Sequence, residues 1–346
     1  MVWDRTQGQA WRIVDNLNHM LIRERLSRIK SVSRNIKVTI CLFFLVSITF
    51  SLRFFELSHP FLVSVAGFSP LIIIIAVIII LLIALRSRDV RIIILSASLV
   101  AGYAVAFTPH NSILGCRAGV ASDESFTIFS HNVLWGSGNS KQVAEEIDTY
   151  NPDILVFQEA SEKFLNELSG YLESNSYEYK RNGTIDLGRV SPTIWSKYSL
   201  LEFEQSRFGA APIFEAKVDS PFGAFVLHGI HTSAPTTKLA AGFWNEQFDL
   251  LEEFSTAEPA LMVGDFNATK DHKQFRQLLD RGWEDSHDKK GCGIDNTWSL
   301  KTYLPSMLRL DHVLHTEHFR TNSVVVGKAN NSDHNSVIVE LDFVDN

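Results

Sequence analysis

Three long apolar runs crowd the first third of the chain. The first spans Val38 to Leu52 and extends to Phe55 past Arg53. The second, Phe61 to Leu85, holds the uncharged block LIIIIAVIIILLIAL, and the third, Arg91 to Phe107, continues as IIILSASLVAGYAVAF. A helix needs about 20 apolar residues to cross the hydrocarbon of a bilayer. The second run exceeds that length; the first and third reach it only with their flanks. The pattern predicts three transmembrane helices over residues 38–108. In the leader, residues 1–37, Trp11, Val14, Leu17, Leu21 and Ile22 fall at helical spacing. That is an amphipathic helix suited to an anionic membrane surface or to the cytoplasm.

After a linker over 109–125 the pattern changes to short strands alternating with helical stretches. Phe126–His131 alternates and stops at Asn132, Lys141–Tyr150 reads as a helix ended by Asn-Pro-Asp, and Ile154–Phe157 is a buried strand. Residues 213–218 and 224–230 flank the turn DSPFG, a hairpin signature. Lys238–Phe254 reads as a helix, and Ala260–Val263 as a strand running into GDFN. Val313–Leu314, Ser323–Val326 and Ser336–Leu341 supply late strands. Many strands with few helices between them predict, over 126–346, two packed sheets flanked by helices rather than one doubly wound sheet.

Charge divides the chain the same way. Residues 1–116 carry 12 Lys/Arg against 5 Asp/Glu, and residues 117–346 carry 20 against 34. The leader holds eight basic residues from Arg5 to Lys37, the loop after the first run only Arg53, and the next loop Arg86, Arg88 and Arg91. Positive loops stay on the cytoplasmic side, so the N-terminus is expected inside and everything after Phe107 outside. Of the three cysteines, Cys41 sits in an apolar run. Cys116 and Cys292 could pair if the back half faces an oxidising compartment, or remain two free thiols. No zinc-type spacing occurs.

Polar residues recur at the ends of the apolar strands: Asn132, Glu159, His231, Asp265 and Asn267. Asp311 opens a strand, while Asp333 and His334 precede one. Each alone reads equally well as a turn former, a helix cap or a loop residue. Together their types suit one reaction. Carboxylate and amide oxygens suit a hard cation such as Mg²⁺, a carboxylate can align or deprotonate a water, and imidazoles and amides can stabilise charge on a phosphoryl group.

In chain order, SHNVLW, LVFQEAS, GIHTSAP, LMVGDFNAT, RLDHVL and SDHNSV resemble the endonuclease/exonuclease/phosphatase superfamily over about residues 126–343. NTWSLKTYLPSMLRLDHVL, with the apolar runs, looks like that superfamily's bacterial membrane-bound branch. The resemblance implies a four-layer α/β/β/α sandwich of two mixed sheets and metal-dependent hydrolysis of phosphate esters, with Mg²⁺ as the cation and Mn²⁺ or Ca²⁺ as alternatives. It implies Glu159 as main metal ligand beside Asn132 and Asp333. Asp265 would orient or deprotonate the water, Asn267 would bind phosphate, and His334 would contact it, polarised by Asp311. His231 would be the second histidine at the scissile group. Some members carry an acidic residue where this chain has Leu134, which counts against a second metal from that strand.

Arg309 is a candidate phosphate contact; Ser196 and Lys197 read as structural. His228, His312, His315 and His318 show no ligand pattern and are expected in strands or at the surface. The acidic back half has no basic run to grip long nucleic acid. The expected substrate is therefore a lipid headgroup or envelope phosphodiester, with nucleic acid still open and a bilayer as the chain's other partner. The rival readings are a catalytically silent membrane-bound binding or scaffold protein of the same fold and a transport or assembly module. The absence of charge in the middle of the second and third runs argues against transport.

Overall fold

The computed structural model describes residues 4–87, 89–107, 124–183, 185–186, 189–190, 192–208, 211–293 and 295–344. The chain folds as two compact units, one of residues 1–51 with 70–106, the other of 52–69 with 107–346.

The first unit holds most of three helices. Leader and first apolar run form one continuous helix, α1 (Asp4–Leu52), instead of two elements. A short helix, α2 (Pro60–Gly67), belongs to the second unit; α3 (Ser69–Ser87) and α4 (Val90–Phe107) follow. Among the described residues, two stretches are long and apolar enough to cross a membrane, Arg34–Leu52 and Ser69–Arg86. The third expected span, α4, is not among them over its described residues. It is 18 residues long, and its side chains at 99, 100 and 102–107 lie outside the described residues. The linker over 109–125 and the side chains of Trp11, Val14 and Leu17 lie outside the described residues, apart from the linker's last two positions.

The second unit runs β1 (Ser125–Asn132), α5 (Ser140–Tyr150), β2 (Ile154–Gln158), β3 (Ala160–Ser161), α6 (Glu162–Ser174), β4 (Tyr179–Asn182), β5 (Ile185–Asp186), β6 (Arg189–Val190), β7 (Thr193–Ser196) and β8 (Ser199–Phe208). It continues with β9 (Ala211–Ser220), β10 (Gly223–His231), α7 (Lys238–Leu251), β11 (Ala260–Asp265), α8 (Lys273–Asp280), β12 (Glu284–Asp285), α9 (Ser286–Lys289), β13 (Asp311–His315), β14 (Phe319–Val326) and β15 (Val337–Phe343). Two six-stranded mixed sheets result, in the orders β14-β15-β1-β2-β7-β4 and β12-β13-β11-β10-β9-β8, with a small β3-β6-β5 sheet beside them.

Period-two alternation builds the layers, because neighbouring side chains on a strand point to opposite faces. On β1 and β2, Ile128, Ile154 and Val156 face the other sheet, where they meet Leu261 and Val263 of β11. The intervening Phe129, Leu155 and Phe157 pack on Val143 and Ile147 of α5 and Leu165, Leu168 and Leu172 of α6. Met262 of β11 faces outward onto Trp244, Phe248, Phe275 and Leu278 of α7 and α8. The order helix, sheet, sheet, helix is the expected sandwich.

Leu57, Val63 and Ala66, in and beside α2, are buried in that last cluster. Burying a Leu or Val side chain contributes roughly 1.5–3 kcal/mol, enough to make residues 52–69 a packed part of the unit.

Candidate active site

Strand register assembles the site. β10 and β11 run parallel with His231 opposite Asp265. β11 and β13 run antiparallel with Asp265 opposite Asp311. One row across three strands therefore carries an imidazole and two carboxylates, at the neighbour spacing of about 5 Å between paired residues. In the other sheet β1 and β2 pair Asn132 with Gln158, and Glu159 follows. Glu159 (φ +56°) and Asn267 (φ +47°) both hold left-handed backbone, a strain that collects at functional sites. Gly264 (φ +143°) has no room for a side chain, since a Cβ there would lie 2.0 Å from the Ile230 carbonyl oxygen. Only glycine lets the chain deliver Asp265 to this place.

Asp265 is fully buried and well connected. Its Oδ1 accepts the backbone N–H of Asn267 at 2.8 Å, an Asx turn. Its Oδ2 accepts Nδ2 of Asn132 at 3.0 Å and lies 3.7 Å from Nε2 of His334. His334 donates from Nδ1 to Oδ2 of Asp311 at 2.8 Å, and Thr297 donates its hydroxyl to the same oxygen. Burial alone would push the His334 imidazole down. Asp311 and Asp265 beside it outweigh burial and raise it to about 10, so the ring is charged near neutrality. Burial raises the Asp265 carboxyl above the ordinary range, although His334 pulls it back. Asp311 is lowered: burial works upward, and the bond and charge of His334 win.

Glu159 forms the other side of the mouth. Its Oε1 lies 3.5 Å from Nε2 of His231 and accepts Nδ2 of Asn132 at 3.4 Å. Its Oε2 accepts the backbone N–H of Trp135, reached through left-handed backbone at Leu134 and Trp135. Asn132 thus bridges Glu159 and Asp265 with its nitrogen, while its oxygen accepts the N–H of Leu134. Asp333 accepts Nε1 of Trp298 on Oδ2 and, among the described residues, has no partner on its buried Oδ1.

A profile described as the Endonuclease/Exonuclease/phosphatase family matches residues 129–334, more than half of the chain. The chain belongs to this family. Solved structures share its fold. A family protein from Beutenbergia cavernae superposes with TM-score 0.53 at 17% identity, over 64% of this chain and 72% of that one. D. rerio TDP2 complexed with a single-strand DNA product gives 0.52 at 16%, over 64% and 100%. The human Nocturnin catalytic domain with bound sulfate gives 0.51 at 14%, over 66% and 98%. No curated protein matches.

Family membership implies a divalent cation, and the residues can be tested against one. Asp265, Asp311 and His334 bring their ligand atoms within 4.8 Å of one another. Within the trio, Nδ1 of His334 is already engaged with Oδ2 of Asp311 at 2.8 Å and its Nε2 faces Oδ2 of Asp265 at 3.7 Å, so these three side chains are committed to one another. Glu159 and the unpartnered Oδ1 of Asp333 are better suited. Both supply oxygen, the donor that Mg²⁺ selects.

Arg309 is placed differently from its expected role as a phosphate contact. Its guanidinium donates to the carbonyls of Cys292, Gly293 and Asp295 and is largely buried, so it braces a loop. Several working residues escaped notice in the sequence. Buried His131 bonds the His334 carbonyl at 3.1 Å. Ser332 ties the Asn132 carbonyl to the His334 N–H. Trp298 and Thr297 hold Asp333 and Asp311. The buried Glu146 of α5 accepts from Lys328, Asn330 and Ser336 around the loop that carries Asp333 and His334. Cys292 is buried and disulfide-bonded; Cys116, the other half of the expected pair, lies outside the described residues.

Proposed function

We propose that this protein is a membrane-anchored hydrolase of phosphate esters that uses water as nucleophile and works with a divalent cation. Mg²⁺ is the first candidate, Mn²⁺ and Ca²⁺ the alternatives. The observation that carries this reading is the convergence of buried Asp265, its Asn267 partner and the Asp311–His334 pair beside the Glu159–His231–Asn132 group.

Asp265, with its carboxyl raised above the ordinary range, is a base closer to neutrality than a free carboxylate. It takes the proton of a water as that water attacks phosphorus. The charged His334, aligned by Asp311, donates toward a phosphoryl oxygen. Asn267 binds another phosphoryl oxygen, and His231 lies where the ester oxygen departs. Glu159 and Asp333 would hold the cation, which supplies positive charge against the oxygens of the phosphoryl group.

Two apolar helices support a membrane anchor. The basic leader and the bonded Cys292 support a catalytic domain on the oxidising, extracytoplasmic side. A lipid headgroup or envelope phosphodiester then suits the acidic domain better than long nucleic acid. The DNA product on D. rerio TDP2 and the sulfate on Nocturnin support a phosphate ester in general.

The test uses the full chain in detergent with an aryl phosphodiester. Activity should require added Mg²⁺, disappear with EDTA, and fall about 10²-fold or more in Asp265→Asn. Full activity in that variant, at unchanged metal dependence, would remove Asp265 from the mechanism.

A further inference from the structure

The connection between the two membrane-candidate helices is built into the catalytic unit. Leu57, Val63 and Ala66 are 8%, 2% and 0% exposed, packed with Trp244, Phe275 and Leu278. Polar bonds lock the same segment. Arg53 pairs with Asp271 at 2.9 Å, Glu56 with Lys273 at 2.5 Å, and Nδ2 of Asn245 donates to the Leu57 carbonyl. His272 donates from Nε2 to the Val63 carbonyl at 3.0 Å, while its Nδ1 accepts the Thr269 N–H at 2.9 Å. Gly67 passes so close to that ring that a Cβ would lie 3.1 Å from His272 Cε1.

Two consequences follow from connectivity. Thr269–Lys273 is the stretch that leaves Asp265 and Asn267, so α2 and its flanks clamp the backbone next to the catalytic carboxylate. The second concerns the bilayer and rests on the membrane anchor proposed above. Residues 52–69 and the catalytic strands share one core, so they lie on one side of any membrane. If α3 crosses, the chain must come back before β1, and α4 is the helix left to bring it back. A segment 18 residues long can reach across when its ends carry flanking polar groups.

We infer that residues 52–69 are a constitutive part of the catalytic domain, and that α3 and α4 form a membrane hairpin whose two ends both emerge on the active-site side. Packing of residues 52–69 into the catalytic unit thereby assigns α4 as a span. It also means that a fragment starting after the helices lacks part of its core and leaves buried Asp271 without Arg53.

Impermeant maleimide labelling of the full chain in sealed vesicles tests this, on a Cys41→Ser background with Cys292 left as it is. Three serines are replaced one at a time: Ser58→Cys in the connection, Ser87→Cys at the C-terminal end of α3, and Ser255→Cys in the catalytic domain. Positions 58 and 255 should label from one face and position 87 only from the other. Val63→Cys should label slowly in the native protein, at least 10-fold more slowly than Ser58→Cys, and fully in SDS. Labelling of 58 and 255 from opposite faces, or fast native labelling of position 63, would overturn the docking. Labelling of all three from one face would overturn the hairpin. None of these readouts needs catalysis, so failure of the hydrolase reading would be seen separately.

Discussion

In the proposed mechanism Asp311 touches the chemistry only through His334. Its Oδ2 receives the imidazole N–H at 2.8 Å and the Thr297 hydroxyl, while its Oδ1 has no partner. Replacing it with Asn keeps the size, removes the charge that holds the imidazole protonated, and offers an N–H where His334 needs an acceptor. Asp311→Asn should lower kcat about 10²-fold or more with a much smaller change in KM. Thr297→Val removes a donor from the same oxygen and an acceptor from the Leu310 and Asp311 N–H groups but leaves the Asp311 charge in place, so it should cost only about 10-fold, the lower end of the roughly 1.5–3 kcal/mol of a hydrogen bond to a charged group. Steady-state kinetics of the two variants separate the roles. Equal losses would mean that Asp311 serves as a fold residue rather than as the partner of a charged histidine. Glu159 poses a different case, because its left-handed backbone (φ +56°) aims the carboxylate and carries strain. Glu159→Gln keeps the geometry but removes the negative charge and leaves one neutral carbonyl oxygen, so the Mg²⁺ concentration needed for half-maximal activity should rise at least 10-fold.

At the scale of elements, the loop from Gly327 to Ser336 delivers Asp333 and His334, and α5 holds it from behind. Glu146 accepts the Lys328 N–H at 2.9 Å, the Ser336 hydroxyl at 2.9 Å and the Asn330 amide at 2.5 Å. A Cβ on Gly327 would lie 2.0 Å from its Oε1. Glu146→Ala would leave three donors without that acceptor, two of them buried, so a loss of about 2–4 kcal/mol in unfolding free energy is expected, larger than for an ordinary surface change. Chemical denaturation read by tryptophan fluorescence gives that number; a loss under 1 kcal/mol would mean that the loop keeps its shape without α5. None of this was legible in the sequence, and the reason is physical. A carboxylate on an amphipathic helix reads as a solvated face, and its partners lie 182 or more residues away. Trp298 was hidden likewise, since an indole in a polar loop looks like rim. What could be read was local: the β9–β10 hairpin around DSPFG, the GDFN turn, and polar residues where apolar strands stop. The short, strongly amphipathic α8 and the Ser161-capped α6 were passed over because each begins directly beside a site or loop motif. Residues 61–69 read as the start of the second span, because an apolar run does not show whether it meets lipid or a partner more than 170 residues away, and α2 instead packs in the catalytic unit.

For the whole molecule, several buried imidazoles are held uncharged by their burial. His228 of β10 shows the consequence most cleanly. It is 3% exposed, stacks on Phe254 with ring centres 4.1 Å apart, and meets Trp283 edge-on. Glu215 lies 3.4 Å away but is half exposed, so water screens its pull, and burial drives the imidazole down to about 3. The sign of the linkage follows from those two states. Above pH 6.5 the ring is neutral folded or unfolded and contributes no pH dependence. Below 6.5 the unfolded chain takes up a proton that the folded one refuses, so stability falls by about 1.4 kcal/mol per pH unit until the folded value near 3 is reached. Other groups move the absolute curve in both directions: burial lowers His272 and His287 to about 4 and raises Asp271 to about 6. A comparison with His228→Phe removes them, because phenylalanine fills the same stack and does not titrate. Chemical denaturation of both proteins in detergent at pH 7.5, 6 and 5 should show the variant gaining on the wild type by about 2 kcal/mol between pH 6.5 and 5. A constant difference across that range would mean that His228 is protonated inside the fold and that Glu215, not burial, governs it.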